Sequence, residues 1–168
     1  MLTELYNGSN INSHTLFNKT NQKNNAMYPP ELVNPMRKEL ANAGFKETQT
    51  ATDVEQAIKH QPGTTLLVVN SVCGCAAGTC RPGVLQSLKS EIKPDQLITV
   101  FAGVDREATQ KAREFLLPYP PSSPAIALFK DGQLVHMIER HHIEGRSADM
   151  IGNHLKQVYQ EYCTEKVN

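Results

Sequence analysis

The chain has 168 residues, a length that suits one domain able to bury its own hydrophobic core. Its 17 lysines and arginines balance its 17 aspartates and glutamates, so the net charge gives no reason to expect nucleic acid or an anionic membrane as a partner. The longest apolar run extends roughly from Leu66 to Val69, far too short for a membrane-spanning helix. We therefore expect a soluble protein.

The first 26 residues differ in composition from the rest of the chain. They contain seven asparagines and few side chains large enough to fill a core, so they cannot repay the entropy lost on ordering. We predict a disordered polar extension over residues 1–26 and one folded domain over residues 27–168. The N-terminus also lacks the basic start, apolar segment and cleavage site of a secretion signal, so we expect a cytoplasmic protein.

Two helices and a short strand are predicted before the first long apolar run. Asn34 as N-cap and Pro35 at the first helical position predict the start of one helix. Residues 45–50 are compatible with a short strand. Thr52 and Glu55 fit the capping-box pattern that opens a second helix.

Residues 64–70 (TTLLVVN) form a nearly continuous β-branched and aliphatic run, which predicts a central strand covered on both faces. This strand leads directly to a Gly-rich segment that contains Cys73. Apolar residues then recur at helical spacing at Val84, Leu85, Leu88 and Ile92. The pattern predicts a strand, a turn and a helix, with the cysteines in the turn at the carboxyl end of the strand.

A second strand and helix follow the cysteine segment. Residues 97–101 predict another buried strand, and Asp105 fits the N-cap position of the next helix. The inward-facing residues of this helix are predicted to be Ala108, Ala112, Phe115 and Leu116. Such a repetition of strand and helix is typical of crossover connections between parallel strands.

The last third of the chain predicts a hairpin and a closing helix. Asp131-Gly132 is a two-residue turn signal that joins a strand over residues 125–129 to one over residues 134–138. Ser147 fits the N-cap of a final helix, whose apolar stripe is Met150, Ile151, Leu155, Val158, Tyr159 and Tyr162. Together the elements predict an α/β fold, a thioredoxin-like three-layer α/β/α sandwich with a central mixed sheet and an additional N-terminal helix.

Three of the four cysteines, Cys73, Cys75 and Cys80, fall within eight residues. Such a cluster is a poor way to staple a fold of this size, and in a cytoplasmic protein it indicates redox or metal chemistry instead. The first two lie in a Gly-rich turn rather than on an apolar stripe, which argues against a purely structural role. Cys163 follows the last apolar stripe and is predicted to be incidental.

The Cys73-Gly74-Cys75 segment has the features of a reactive pair. A helix N-terminus at Cys73 and the nearby charge of Arg81 both favour the thiolate that thiol-disulfide exchange requires. Gly74 permits the tight ring of an intramolecular disulfide, which strain would make easy to reduce. We predict that Cys73 attacks and Cys75 resolves, with Cys80 as a candidate auxiliary thiol.

A metal-binding module is a different kind of function and is the alternative to thiol-disulfide exchange. Cys73, Cys75 and Cys80 offer three thiolates for zinc, copper(I) or an iron-sulfur cluster, and His141 or His142 offers a fourth ligand. Metal motifs of high specificity pair two close cysteines with a second such pair, which this chain lacks. The exchange interpretation is therefore preferred, and no bound metal is expected.

Ser123-Pro124 precedes the first strand of the predicted hairpin. A proline at the entry to a strand is unusual, and a cis bond there would bring backbone beside the thiols, where it can help to hold a substrate chain. We predict a cis bond with this site-shaping role for both residues. Several prolines precede the pair, so an ordinary loop ending is the alternative.

From Met27 onward, several segments of the chain resemble one known family. They are Met27-Tyr28-Pro29-Pro30, Asn70 to Gly78, Arg81-Pro82, Arg140-His141 and Ile143 to Arg146. On these segments the chain resembles the bacilliredoxins of the A and B type, thioredoxin-like proteins whose active-site motif is Cys-Gly-Cys.

This resemblance implies a reaction and a co-substrate. It implies removal of bacillithiol from mixed disulfides on cytosolic client proteins, with Cys73 attacking the bacillithiol sulfur and Cys75 or a second low-molecular-weight thiol releasing it. Bacillithiol is then a co-substrate rather than a bound cofactor, and a monomer is expected. A general protein disulfide isomerase is the alternative within the same chemistry. Cys80 departs from the family pattern and leaves the resolving step open.

Overall fold

The computed structural model describes residues 27–164, so the extension expected over residues 1–26 lies outside the described residues. The elements in chain order are α1 (Pro30–Ala41), β1 (Lys46–Glu47), α2 (Ala51–Lys59), β2 (Thr64–Asn70), a π-helical turn (Ala76–Cys80), α3 (Arg81–Ser87), β3 (Gln96–Phe101), α4 (Arg106–Phe115), β4 (Ala125–Lys130), β5 (Gln133–Ile138), α5 (Arg140–Ile143) and α6 (Ala148–Tyr162). The predicted order of strands and helices is confirmed. None of the helices between residues 27 and 164 is long and apolar enough to cross a membrane.

The five strands form one mixed sheet in the order β1-β3-β2-β4-β5. The first three are parallel, β4 runs antiparallel to β2, and β5 runs antiparallel to β4. Asp131 and Gly132 form the predicted turn between the last two strands, with φ of 49° and 78°. Positive φ at both central residues suits the right-handed twist of a two-residue hairpin. The sheet therefore has β2 at its centre.

The side chains of β2 supply both cores of the sandwich because successive residues of a strand point to opposite faces. Leu66 and Val68 pack on one face with residues of α1, α3 and α6. Leu67 and Val69 pack on the other face with residues of α2 and α4. All seven residues of β2 are buried, as expected for a strand covered on both sides. The predicted three-layer α/β/α sandwich is confirmed, and α1 is the additional N-terminal helix.

The prediction for the start of α1 was wrong by five residues. The helix begins at Pro30, whose fixed φ suits the first turn and whose missing N–H costs nothing there. Pro35 lies inside the helix, and Asn34 is an exposed helical residue rather than the N-cap. Two prolines offered the same start signal, and the earlier one is used.

The capping box of α2 was predicted two residues too late. Thr50 is the N-cap, and its Oγ1 accepts a hydrogen bond of 3.1 Å from the N–H of Asp53. The Asp53 carboxylate in turn accepts from the Thr50 N–H, so the box is complete. Overlapping Thr-x-x-acid patterns occur here, and the one with aspartate is formed in place of Thr52 and Glu55.

Asp105 is the N-cap of α4, as predicted, but its side chain has a different partner. Its carboxylate accepts from the N–H of Phe101 at 2.9 Å and from the guanidinium of Arg37. It makes no side-chain cap bond to α4. Asp105 therefore ties the end of β3 to α1 instead of capping its own helix.

Helix α6 packs against α3 on the same face of the sheet. Ser147 caps α6 through its Oγ, as predicted, whereas Met150 is 52% exposed and does not belong to the buried stripe. Its neighbour Ile151 faces α3 instead, where a Cβ added to Gly83 would lie 2.8 Å from the Ile151 Cβ. Because Gly83 has no side chain, α3 and α6 can approach each other closely at this contact.

The end of α3 differs from the prediction. Ile92, predicted on α3, lies beyond the end of that helix at Ser87.

Candidate active site

The Cys73-Gly74-Cys75 segment follows β2 by two residues and lies at the carboxyl end of this central strand. The Sγ atoms of Cys73 and Cys75 are joined in a disulfide, with the two Cα atoms 5.5 Å apart. Gly74 between them is exposed, and a Cβ added to it would meet nothing within 4 Å. The structure therefore describes the oxidised form of the pair.

The two half-buried cysteines of the pair have different surroundings. Cys73 lines an open cleft of about 800 Å³ between the start of the described chain, α4 and the loop before β4. We call this the Cys73 cleft; Tyr28, Arg106 and Ser123 mark its three walls. Cys75 packs instead against the core between the sheet, α3 and α6. An incoming molecule in the cleft meets Cys73 first.

The backbone at Cys73 begins a helical segment, as the sequence predicts. The Cys73 N–H donates to Ser71 Oγ at 3.1 Å, and its carbonyl accepts from the N–H groups of Ala76 and Ala77. Gly74 and Cys75 are already helical. The unpaired amide groups at such a helix start favour negative charge nearby.

A π-helical turn separates the cysteine pair from α3, and the sequence analysis did not predict it. The Arg81 N–H donates to the carbonyl of Ala76, five residues back. Thr79 Oγ1 donates to the carbonyl of Arg146 at 2.8 Å, which fixes the wide turn to the start of α6.

Arg81 is almost fully buried, with 1% of its surface exposed. Its Nε donates to Glu39 on α1 at 2.8 Å, and its Nη1 donates to Asn70 Oδ1 and to the carbonyl of Ser71, each at 3.1 Å. Asn70 Oδ1 also accepts from the Ser71 N–H at 2.8 Å. Arg81 therefore fastens the segment just before the cysteines to α1.

Cys80 and Cys163 are free thiols in less open surroundings. Cys80 is fully buried in the core on the α6 side of the sheet, and burial raises its pKa to about 12, partly offset by the charge of Arg81. Burial also raises the pKa of Cys163, which packs beside the same core. For the alternative three-thiolate metal site, two of the required sulfurs are bonded to each other and the third lies in the core.

Histidines gather on the far side of β5 and around α5. His141 and His142 are exposed, and with Glu139 they place three possible ligand atoms within 4.8 Å of one another. His136 and His154 face each other with 2.9 Å between their Nε2 atoms, and burial together with the nearby His154 lowers the pKa of His136. Among residues 27–164, Glu139, His141 and His142 are the group whose ligand atoms lie close enough together to hold a metal ion, and this group contains no cysteine.

The Ser123–Pro124 bond is cis, as predicted. Ser123 lines the Cys73 cleft, and Pro124 is buried directly before β4. The preceding Ser122 accepts a hydrogen bond of 2.7 Å on its Oγ from the N–H of Arg140, which joins this loop to α5. The structure thus brings Ser123 into the same cleft as Cys73.

Two walls of the Cys73 cleft were missed from the sequence. One is the face of α4 that carries Arg106 and Arg113 two turns apart. The other is the segment Met27-Tyr28, held by a hydrogen bond of 3.0 Å from the Met27 N–H to the carbonyl of Gly103. The repeat of Arg106 and Arg113 on one helix face was a visible signal, but charged residues on a helix usually indicate only a solvated surface.

Three features define the class of protein. The sheet is mixed and five-stranded, the cysteine pair lies where its central strand meets a helix, and a cis-proline precedes β4. These are the features of a thioredoxin-like thiol-disulfide oxidoreductase. Solved structures agree on the fold. The oxidised thioredoxin of Plasmodium falciparum matches with a TM-score of 0.51 and 18% identity, covering 72% of this chain and 100% of that chain. Malassezia sympodialis thioredoxin gives a TM-score of 0.50 at 15% identity, covering 72% and 92%.

Sequence comparison identifies the family. A family model described as disulphide isomerase matches residues 28–163. A bacilliredoxin of Cytophaga hutchinsonii is 67% identical over 135 residues, which cover 80% of this chain and 99% of the relative. Bacilliredoxins of Halalkalibacterium halodurans and Staphylococcus aureus are 52% and 47% identical, covering 81% and 83% of this chain and 94% and 96% of theirs. The chain belongs to the bacilliredoxin family, so the predicted family, fold and enzyme class are confirmed.

Proposed function

We propose that this chain removes bacillithiol from mixed disulfides on client proteins of the cytoplasm, with Cys73 as the attacking thiol. The observation that carries the assignment is the difference between the paired cysteines: Cys73 lines the open cleft, whereas Cys75 packs against the core. A mixed disulfide on a client protein is bulky, so it can reach only a sulfur that faces open space. Membership of the bacilliredoxin family supports the same substrate.

In the first step the reduced Cys73 thiolate attacks the bacillithiol sulfur of the mixed disulfide. A new bond forms between Cys73 and bacillithiol, and the client sulfur leaves as a thiolate that takes up a proton. The client cysteine is thereby reduced. The helix that begins after Cys73 favours the attacking thiolate, because its unpaired N–H groups point toward that end.

In the second step Cys75 attacks Cys73 Sγ and releases bacillithiol as a free thiol. The product is the Cys73–Cys75 disulfide, and the Cα separation of 5.5 Å lies in the usual range for such a bond. The pair has then lost two electrons, which a dithiol or two molecules of a small thiol must return before the next cycle. A second bacillithiol molecule can also release the first one from Cys73.

Cys75 is supported over Cys80 as the resolving thiol. Cys80 has no exposed surface, and its pKa of about 12 leaves almost no thiolate at neutral pH. Cys75 is half-buried and lies two residues from its target. Arg81 supports the reaction as a positioning residue, because its hydrogen bonds fix Asn70 and Ser71 directly before the pair.

Ser123 and Pro124 are proposed to guide the client chain past Cys73. Ser123 lies in the wall of the cleft, and Pro124 directly precedes β4, which is the strand beside β2. Backbone groups at the start of a strand can pair with an extended segment of another chain. A client segment bound there would present its mixed disulfide to the cleft.

A transfer experiment tests the attacking role. A Cys75→Ser variant is mixed with a client protein carrying bacillithiol, and intact-mass and peptide mass spectrometry locate the transferred group. We expect bacillithiol on Cys73, because the variant cannot complete the second step. A Cys73→Ser variant serves as the matched control and should acquire none. Transfer to Cys80, or no transfer to the Cys75→Ser variant, would contradict the assignment.

General disulfide isomerisation is the second candidate function, favoured by the description of the family model that matches residues 28–163. The same attacking thiol serves both reactions. A scrambled disulfide protein, incubated with the wild-type chain in the absence of bacillithiol, separates them. Recovery of native disulfides at a rate that exceeds bacillithiol removal would favour isomerisation.

A further inference from the structure

The Cys73 cleft concentrates positive charge in a protein whose net charge is zero. Arg106, Arg113 and Arg140 line it, and Glu114 is the one acidic residue among the described residues of its lining. Glu114 is itself paired with Lys111 at 2.7 Å, so its charge is already compensated. The cleft beside the reactive sulfur is therefore cationic.

Arg106 and Arg113 share one face of α4. Residues seven apart on a helix lie two turns and about 10 Å apart on the same side. The residues between them that also line the cleft, Thr109 and Gln110, follow the same face. Among residues 27–164 neither arginine takes part in an ion pair, whereas Arg140 is paired with Glu144 at 2.6 Å. The α4 pair is thus the part of the wall that is available to a ligand.

Arg113 carries a second and independent signal. Its Nε is fully buried and has no hydrogen-bond partner among the described residues. A buried guanidinium N–H without an acceptor is costly, and such groups are rare in folded proteins. Arg113 therefore has unused hydrogen-bonding capacity in the wall of the cleft.

The guanidinium group is planar and donates in a fork that matches a carboxylate. We infer that Arg106 and Arg113 form a carboxylate-binding site for the small thiol carried on Cys73, and so select thiols whose far end is anionic, as the malate group of bacillithiol is. The inference rests on the proposed function for the identity of that thiol. It gives α4 a role in specificity, separate from the sulfur chemistry at Cys73.

The main test compares two small thiols, here called loads, each bound to one client protein as a mixed disulfide. The client carries either bacillithiol or uncharged 2-mercaptoethanol, and transfer to Cys73 is measured in the Cys75→Ser background. Adding Arg106→Gln and Arg113→Gln together should slow bacillithiol transfer about tenfold and change mercaptoethanol transfer less than twofold. Lys89→Gln and Lys93→Gln together remove two positive charges from exposed positions outside the cleft lining, so this pair is the matched control and should change neither rate.

Each other outcome of this comparison is informative. Equal slowing with both loads would mean that the arginines bind acidic groups of the client or only support the fold, and would overturn the inference. Unchanged transfer of both loads would overturn it as well. Circular dichroism of every variant checks folding, and Arg113→Lys, which keeps the charge but loses the fork, should fall between the wild-type residue and glutamine.

Direct binding of malate tests the site without using bacillithiol. Isothermal titration calorimetry should show that malate binds the Cys75→Ser protein, and that adding Arg106→Gln and Arg113→Gln weakens this binding at least about tenfold. Absence of this difference would overturn the carboxylate site. Failure of bacillithiol transfer alone, with malate binding intact, would instead count against the proposed function.

Discussion

Cys73 and Cys80 lie seven residues apart, yet Cys73 lies at the protein surface and Cys80 lies in the hydrophobic core. Cys73 faces a cleft of about 800 Å³, whereas Cys80 has no exposed surface and a pKa raised to about 12 by burial. Cys80 is the last residue of the π-helical turn that follows the cysteine pair. Neighbouring cysteines in one motif therefore have different surroundings, which their spacing in the sequence does not reveal.

The largest expected effect is the loss of activity when Cys73, the thiol in the cleft, is replaced. Cys73→Ser should lower bacillithiol removal by at least about 10³-fold, because serine cannot form the intermediate disulfide. Cys80→Ala should keep the rate within about twofold while lowering stability by about 1 kcal/mol through lost core packing. Steady-state rates and urea denaturation measure the two effects. Equal loss of activity in both variants would break the contrast between the two thiols.

The stability of the segment before the cysteine pair depends on the buried charge of Arg81. Arg81→Met should lower the free energy of unfolding by about 3 kcal/mol, since Asn70 and Ser71 lose buried hydrogen bonds. Glu39→Gln is the matched control, and it should cost less than about 1 kcal/mol because the Glu39 side chain is 42% exposed. Urea denaturation gives both values. A stable Arg81→Met protein with full activity would show that the cysteine segment is positioned by other contacts.

The contact between α3 and α6 gives a smaller effect. Gly83→Ala should cost about 1–3 kcal/mol, because the new Cβ would lie 2.8 Å from Ile151 Cβ and 2.9 Å from the Ala148 carbonyl oxygen. Gly78→Ala is the control, since a Cβ there meets nothing within 4 Å, and should change stability by less than about 0.5 kcal/mol. Thermal denaturation of both proteins tests the difference. Similar losses would mean that α3 can shift away from α6.

The sequence was most informative where local signals and burial agree. The bounds of β2 were predicted correctly, because its first six residues are β-branched or aliphatic and such a run has one favourable environment in a protein of this size. Asp131-Gly132 was equally clear, since few other residues accept positive φ twice. These two features place the cysteine segment at the correct end of the sheet.

Features that depend on distant contacts were not predictable. The π-helical turn relies on the bond from Thr79 to the Arg146 carbonyl, 67 positions along the chain, and one extra residue barely disturbs helical periodicity. The role of Arg113 depends on the Met27-Tyr28 segment and the loop before β4, which turn one side of α4 into a cleft wall. Asp105 occupies the predicted position but bonds to Arg37, because that partner comes from α1.

The pH dependence of stability reports on the burial of Cys80. The Cys80 pKa is about 12 in the folded chain and about 8.5 when unfolded, so the folded state keeps its proton where the unfolded state loses it. This contribution is complete below about pH 8.5 and is lost as pH rises toward about 12. Urea midpoints measured between about pH 8 and 10.5, with the Cys73–Cys75 pair oxidised, should fall more steeply for the wild type than for Cys80→Ala. Cys163 and Tyr159, whose pKa values burial also raises, are present in both proteins, so equal slopes would show that Cys80 titrates as an accessible thiol.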